Sequence, residues 1–140
     1  MFETILPEEI EHRSFAIIEE ELGEQVLNPV QAPVIKRVIH TTADFDYVEN
    51  LCFSEQAVEK GVRALKDGAC IVTDTEMARA GINKRALARF GGEAFCFISD
   101  EEVAREAKAR GVTRASVSME RAASLHRPLV VANGKGAKGG

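Results

Sequence analysis

Apolar residues recur at helical spacing through the first half of the chain and gather into short unbroken runs in the second. Ile10, Phe15, Ile17, Ile18 and Leu22 make a rough helical stripe after Pro7-Glu8-Glu9, and Gly23 stops it. A proline in the first turn and two acids behind it suit the positive end of a helix. Asn28-Pro29 marks a second start, and Val34, Ile35, Val38 and Ile39 share one face. Pro33 would remove a backbone hydrogen bond from a helix interior, so the regular part begins at or just before it. Ser54 caps a third helix through Ala57, Val58, Val62 and Leu65, closed by Gly68.

Residues 69–73, 94–98 and 128–132 are continuous apolar runs of strand length. Such runs suit strands buried on both faces. Helix-patterned segments follow between them, at 84–90, 101–110 and 113–123, with Ser99-Asp100 as a cap. Strand, helix, strand, helix is the order of a parallel α/β sheet. Ligands of such sheets gather beyond the carboxyl ends of the strands, where Thr73, Asp74 and Thr75 lie at one end and Ser99 at another. Asp74 and Glu76 either accept hydrogen bonds from a ligand or cap a short helix containing Met77, capping being the default reading. The reading is one α/β domain over 1–132 and a glycine–lysine tail over 133–140 that is expected to be mobile. The tail lacks the GxxxxGK[ST] spacing of a phosphate loop.

A length of 140 residues fits one domain with a core, and 45% hydrophobic with 29% charged residues is ordinary for a globular protein. The net charge of −4 argues against a general nucleic-acid binder, which needs a concentrated basic face. No apolar run is long enough to cross a bilayer and no basic-then-apolar leader opens the chain, so a cytoplasmic protein is expected. Cys52, Cys70 and Cys96 show no CxxC spacing. Cys70 and Cys96 read as small core residues, and no metal site or disulfide is expected.

His40 ends the apolar face of the second helix, one turn after Arg37. Residues three apart share a helix face. The pair therefore offers a titratable proton carrier and a fixed positive charge together, which suits proton transfer on an anionic substrate. A histidine that only caps its helix is the plain alternative. Ser14 sits mid-helix beside the apolar face, where it either bonds its own helix carbonyl or serves a ligand. Arg114 opens a helix, an end that disfavours cations, and so hints at a second anion contact. His12 and His126 are expected to face solvent.

Five segments in this order resemble the precorrin-8X methylmutase family of cobalamin biosynthesis. They are Arg13-Ser14-Phe15-Ala16-Ile17-Ile18, Arg37-Val38-Ile39-His40, Phe53-Ser54, Asp74-Thr75-Glu76-Met77 and Thr113-Arg114. The resemblance implies a flavodoxin-like parallel sheet flanked by helices. It implies an isomerase that moves a methyl group from C11 to C12 of a corrinoid ring, giving hydrogenobyrinic or cobyrinic acid, without a cofactor. It implies that His40 handles the proton, that Ser14, Arg37 and Arg13 contact the substrate, and that Arg114, Thr73 and Asp74 line the pocket. Members resembling this chain are homodimers. They bind a small-molecule corrinoid, and neither nucleic acid nor a membrane is expected as a partner.

The family's chain continues past the equivalent of Val130-Val131-Ala132-Asn133 with further helices and strands. The sheet is therefore expected to be incomplete at its C-terminal end, with a bare edge that invites association. Two further readings follow, a non-catalytic corrinoid-binding protein or inactive fragment of the fold, and a plain interaction domain in which His40 caps its helix. Whether the substrate carries cobalt is not legible in these residues.

Overall fold

The computed structural model describes residues 6–23, 25 and 27–133, and the chain divides into two compact units, Met1–Glu59 and Lys60–Gly140. The glycine–lysine tail lies, from residue 134 on, outside the described residues.

The first unit is helical. Helix α1 (Pro7–Leu22) opens on Pro7 with Glu8 and Glu9 in its first turn, and its Glu19 carbonyl accepts the Gly23 N–H. The Asn28 side chain accepts the Val30 N–H at 2.9 Å and shapes the turn before α2 (Ala32–Thr42), which carries Pro33 in its first turn as the spacing predicts. Helix α2 stops at Ala43 in the left-handed region. A single turn, α3 (Tyr47–Asn50), follows and has no counterpart in the apolar pattern.

Ile18 and Leu22 of α1 meet Ile35 and Ile39 of α2 in one buried cluster, with Phe45, Tyr47 and Phe53 among the residues packed around it. The single-stripe expectation for α1 needs correction. Ile10 and Ile17 are 53% and 55% exposed, because the covered face runs through Ile18 and Leu22. Adjacent residues stand about 100° apart around a helix, so Ile17 looks away from the face that Ile18 buries.

The division between the units falls within α4 (Ala57–Lys66). The second unit then runs β1 (Cys70–Thr73), α5 (Glu76–Gly81), α6 (Lys84–Ala88), β2 (Ala94–Cys96), α7 (Glu101–Arg110), α8 (Arg114–Ala123) and β3 (Leu129–Ala132). The sheet is parallel in the order β2-β1-β3, with Val72 of β1 opposite Phe95 on one side and Val131 on the other. The parallel α/β architecture expected of the sequence is thus present.

Burial on both faces holds for the middle strand only. Cys70, Val72 and Thr73 are buried, whereas Val131 on β3 is 52% exposed and every β2 residue is half-buried. Among the described residues, β2 and β3 each pair with β1 alone.

Side-chain caps start three helices, with Thr75, Asn83 and Thr113 accepting the N–H groups of Ala78, Ala86 and Ser116. The cap of α5 is therefore Thr75, between the two acids to which the sequence assigned it. Asp100 stands at the start of α7 without a side-chain cap bond. Helices α7 and α8 pack through Val103, Ala107 and Val117 with Phe97 against them. Arg110 also grips Glu120 with two bonds of 2.6 and 3.1 Å, which hold the Glu120 carboxyl below its ordinary pKa. Among the described residues no helix is long and apolar enough to cross a membrane.

Two glycines separate backbone need from accident. A Cβ on Gly92 would stand 2.5 Å from the Ala69 carbonyl and 2.8 Å from a Leu87 methyl, while one on Gly61, inside α4, would meet nothing within 4 Å. Gly92→Ala is expected to lower unfolding stability by about 1–3 kcal/mol. Gly61→Ala is expected to raise it by up to ~1 kcal/mol through helix propensity. Urea denaturation midpoints check both, and a Gly92→Ala protein as stable as the parent would contradict the packing described.

Candidate functional site

Helices α1 and α2 bring together residues 26 positions apart in the chain. The Ser14 hydroxyl and His40 Nδ1 share a hydrogen bond of 2.6 Å. Ser14 therefore bonds across to the next helix, and its expected bond to an α1 carbonyl gives way to this one. Phe15 stacks on the imidazole with ring centroids 5.2 Å apart and planes inclined by 18°. The Arg37 guanidinium carbon lies 4.9 Å from the centre of the Phe15 ring, and its Nη2 pairs with Glu11 at 2.6 Å.

Why the chain folds this way locally is visible in the core. Ile39 is 1% exposed and is locked among Ile18, Leu22 and Ile35. Its neighbour His40, one step around α2, is half-buried and turned toward Ser14 and Phe15. Ser14 and Ile18 are four apart on α1, so the hydroxyl lies one turn above the apolar contact.

His40 and Ser14 border an open pocket of about 440 Å³. Its walls are largely apolar, from Ile10, Ile17, Ile39 and Phe45, and Arg13 and Glu21 also line it. Arg13 forms no ion pair among the described residues. Arg37 does not line this pocket. It borders a neighbouring one of about 420 Å³ with Phe15 and Lys36. Arg37 and His40 do share a helix face, as the spacing requires, but what stands between them is the Phe15 ring and not open space.

The other sequence-selected residues belong to the second unit. Thr73 is 1% exposed and donates its hydroxyl to the Thr75 carbonyl at 2.8 Å, so its polar atom is used inside the turn. Asp74 follows the strand, half-buried, and its N–H donates to the Ala132 carbonyl. Arg114 is exposed in the first turn of α8, next to the capping Thr113, and forms no ion pair among the described residues. His12 and His126 are exposed, as expected. Among the described residues no group of three His, Cys, Asp or Glu side chains is placed to hold a metal ion.

Sequence reasoning missed Phe15, which the apolar stripe made a core residue, and Glu11. The aromatic at 15, directly after the out-of-place Ser14, was the available signal. A hydroxyl–imidazole pair thus lines an open, largely apolar pocket together with one arginine, Arg13.

The profile of the CbiC, precorrin-8X methylmutase, family matches residues 9–137. The cobalt-precorrin-8 methylmutase of Salmonella typhimurium is 46% identical over 119 residues, covering 81% of this chain and 57% of that protein. Its counterpart from Leptospira interrogans is 42% identical over 123 residues, covering 88% of this chain and 56% of its own. The crystal structure of precorrin-8X methylmutase from Thermus thermophilus superposes with a TM-score of 0.75 at 36% identity, over 89% of this chain and 62% of that one. The chain belongs to the precorrin-8X methylmutase family. It spans about half the length of the curated relatives it matches.

One interaction beside the site titrates in a defined direction. Lys36 of α2 reaches Glu19 of α1 at 2.6 Å and holds its carboxyl below the ordinary value, first by the hydrogen bond and then by charge. The folded-state value lies below the unfolded one, so the pair supports folding above the unfolded value and its contribution fades as pH falls through the folded one. Lys36→Gln is expected to move the Glu19 titration upward, read from its carboxyl carbon shift by NMR. An unmoved titration would mean that the pair does not persist in solution.

Proposed function

We propose that this chain carries the proton-handling site of a corrinoid methylmutase, an isomerase of cobalamin biosynthesis that moves a methyl group from C11 to C12 of the ring. The observation that supports it best is the Ser14–His40 bond at the mouth of an apolar pocket, in a chain of this family. Ser14 occupies Nδ1, which leaves Nε2 as the nitrogen available to a ligand. A methyl shift in a conjugated macrocycle needs the correct tautomer. His40 lends a proton to the ring system and takes it back once the methyl group has moved, so no proton is gained or lost overall. Ile10, Ile17 and Phe45 cover the apolar ring, and Arg13 holds one of its carboxylates by a charge-assisted hydrogen bond.

The substrate form we favour carries cobalt. Relatives named cobalt-precorrin-8 methylmutase include those at 46%, 40% and 42% identity, whereas two named precorrin-8X methylmutase stand at 30% and 31% and the Thermus thermophilus structure of that name at 36%. On this reading the enzyme works in the cytoplasm as a homodimer.

The test is the visible spectrum of cobalt-precorrin-8 mixed with the purified protein. Conversion to cobyrinic acid is expected, and His40→Ala is expected to slow it by roughly 10²–10⁴-fold. A lasting spectral shift without conversion would favour the non-catalytic corrinoid-binding alternative. A His40→Ala protein that turns over at the parent's rate would remove the imidazole from the mechanism.

A further inference from the structure

We infer that Phe15 is a positioning residue for His40, and that Arg37 and Glu11 act through Phe15 and not on the ligand. Four contacts form one unbroken series. Glu11 holds Arg37 at 2.6 Å, Arg37 lies 4.9 Å over the centre of the Phe15 ring, Phe15 stacks on His40 at 5.2 Å, and His40 Nδ1 bonds Ser14 at 2.6 Å. Residues 11, 14 and 15 lie on one face of α1, and residues 37 and 40 lie one turn apart on α2, so two helix faces supply all five groups.

The need for such a series follows from the geometry of a ring. A hydrogen bond at Nδ1 tolerates a range of χ1 and χ2 combinations, so the imidazole plane can still tilt while the bond is kept. Terminal torsions of this type have broad wells. A second ring stacked on the first removes that freedom, because parallel offset contact is kept over a narrow range of tilt. Phe15 is itself half-buried and borders an open pocket, so it needs a partner on its exposed side. The planar guanidinium of Arg37 provides one by lying over the phenyl face, and the Glu11 carboxylate holds the guanidinium there. To reach a ligand carboxylate in the pocket of His40, Arg37 would have to leave both partners. Its own position is on the neighbouring pocket.

The kinetic arm of the test rests on the methylmutase reading, and the spectroscopic arm does not. In the ligand-free protein, Phe15→Leu is expected to shift the His40 ring-proton NMR signals out of the field of the stacked phenyl group, and Phe15→Tyr to leave them in place. With cobalt-precorrin-8, Phe15→Leu is expected to lower kcat by about 10–100-fold at nearly constant KM, the cost of a misplaced catalytic group. Phe15→Tyr should recover most of that loss. Arg37→Gln should likewise lower kcat and leave KM in place. Its side chain is 58% exposed, so this variant carries the test even if Phe15→Leu fails to fold. A raised KM with unchanged kcat in Arg37→Gln would assign the guanidinium to the ligand and overturn the inference. So would His40 signals indifferent to Phe15→Leu. If the parent converts no corrinoid, the methylmutase reading falls, while the NMR arm still decides whether Phe15 orients the imidazole.

Discussion

The chemistry of the helical unit depends on one constraint, the register in which α1 and α2 pack. Ile39 is sealed among Ile18, Leu22 and Ile35, and that apolar contact sets the height and rotation of α2 against α1. Once it is set, His40 has one place to go, between the Ser14 hydroxyl and the Phe15 ring. A buried residue such as Ile39 contributes about 1.5–3 kcal/mol by leaving water. The hydrogen bond beside it contributes about 1 kcal/mol. The apolar contact therefore determines the register and the polar one follows. A slip of one residue would turn α2 by about 100° and carry the imidazole off its partners.

Periodicity made the elements legible. The helices at α1 and α2, the apolar runs that became β1, β2 and β3, and their parallel order all follow from spacing and punctuation. What spacing cannot show is which of two apolar faces is covered. Ile10 and Ile17 have the same period as Ile18 and Leu22, yet only the second pair meets another helix within this unit. The short α3 escaped for a related reason, since four residues cannot display a period of 3.6. At the end of β1 the chemistry was ambiguous. Thr75 holds the N-cap position in extended backbone, and its hydroxyl took the cap that two flanking acids also suited.

The site was legible residue by residue, and its pairings were not. His40 and Ser14 each stood out alone, one as a proton carrier at a helix end and the other as a polar residue on an apolar flank. Nothing local joins positions 14 and 40. Arg37 illustrates the opposite case. Its distance from His40 along α2 is correct, but a shared helix face tells nothing of what stands on that face, and here it is an aromatic ring from the neighbouring helix. The second unit adds a further lesson. Thr73 lies where ligands of parallel sheets gather, but its hydroxyl is spent on the Thr75 carbonyl and stiffens the turn.

The partner chosen for the imidazole bears on the reaction. A carboxylate at Nδ1 would favour a protonated ring and bias it toward one direction of transfer. A hydroxyl has both a proton to give and lone pairs to receive one, so it serves Nδ1 whether that nitrogen carries hydrogen or not. On the proposed reading the ring can then present Nε2 as acid or as base without a carboxylate on Nδ1. An acid–base catalyst has to return every proton it borrows within the turnover, and a partner that suits both forms of the ring meets that requirement. On the proposed reading, a serine beside His40 in a pocket with apolar walls suits a reaction that ends with the same number of protons it began with.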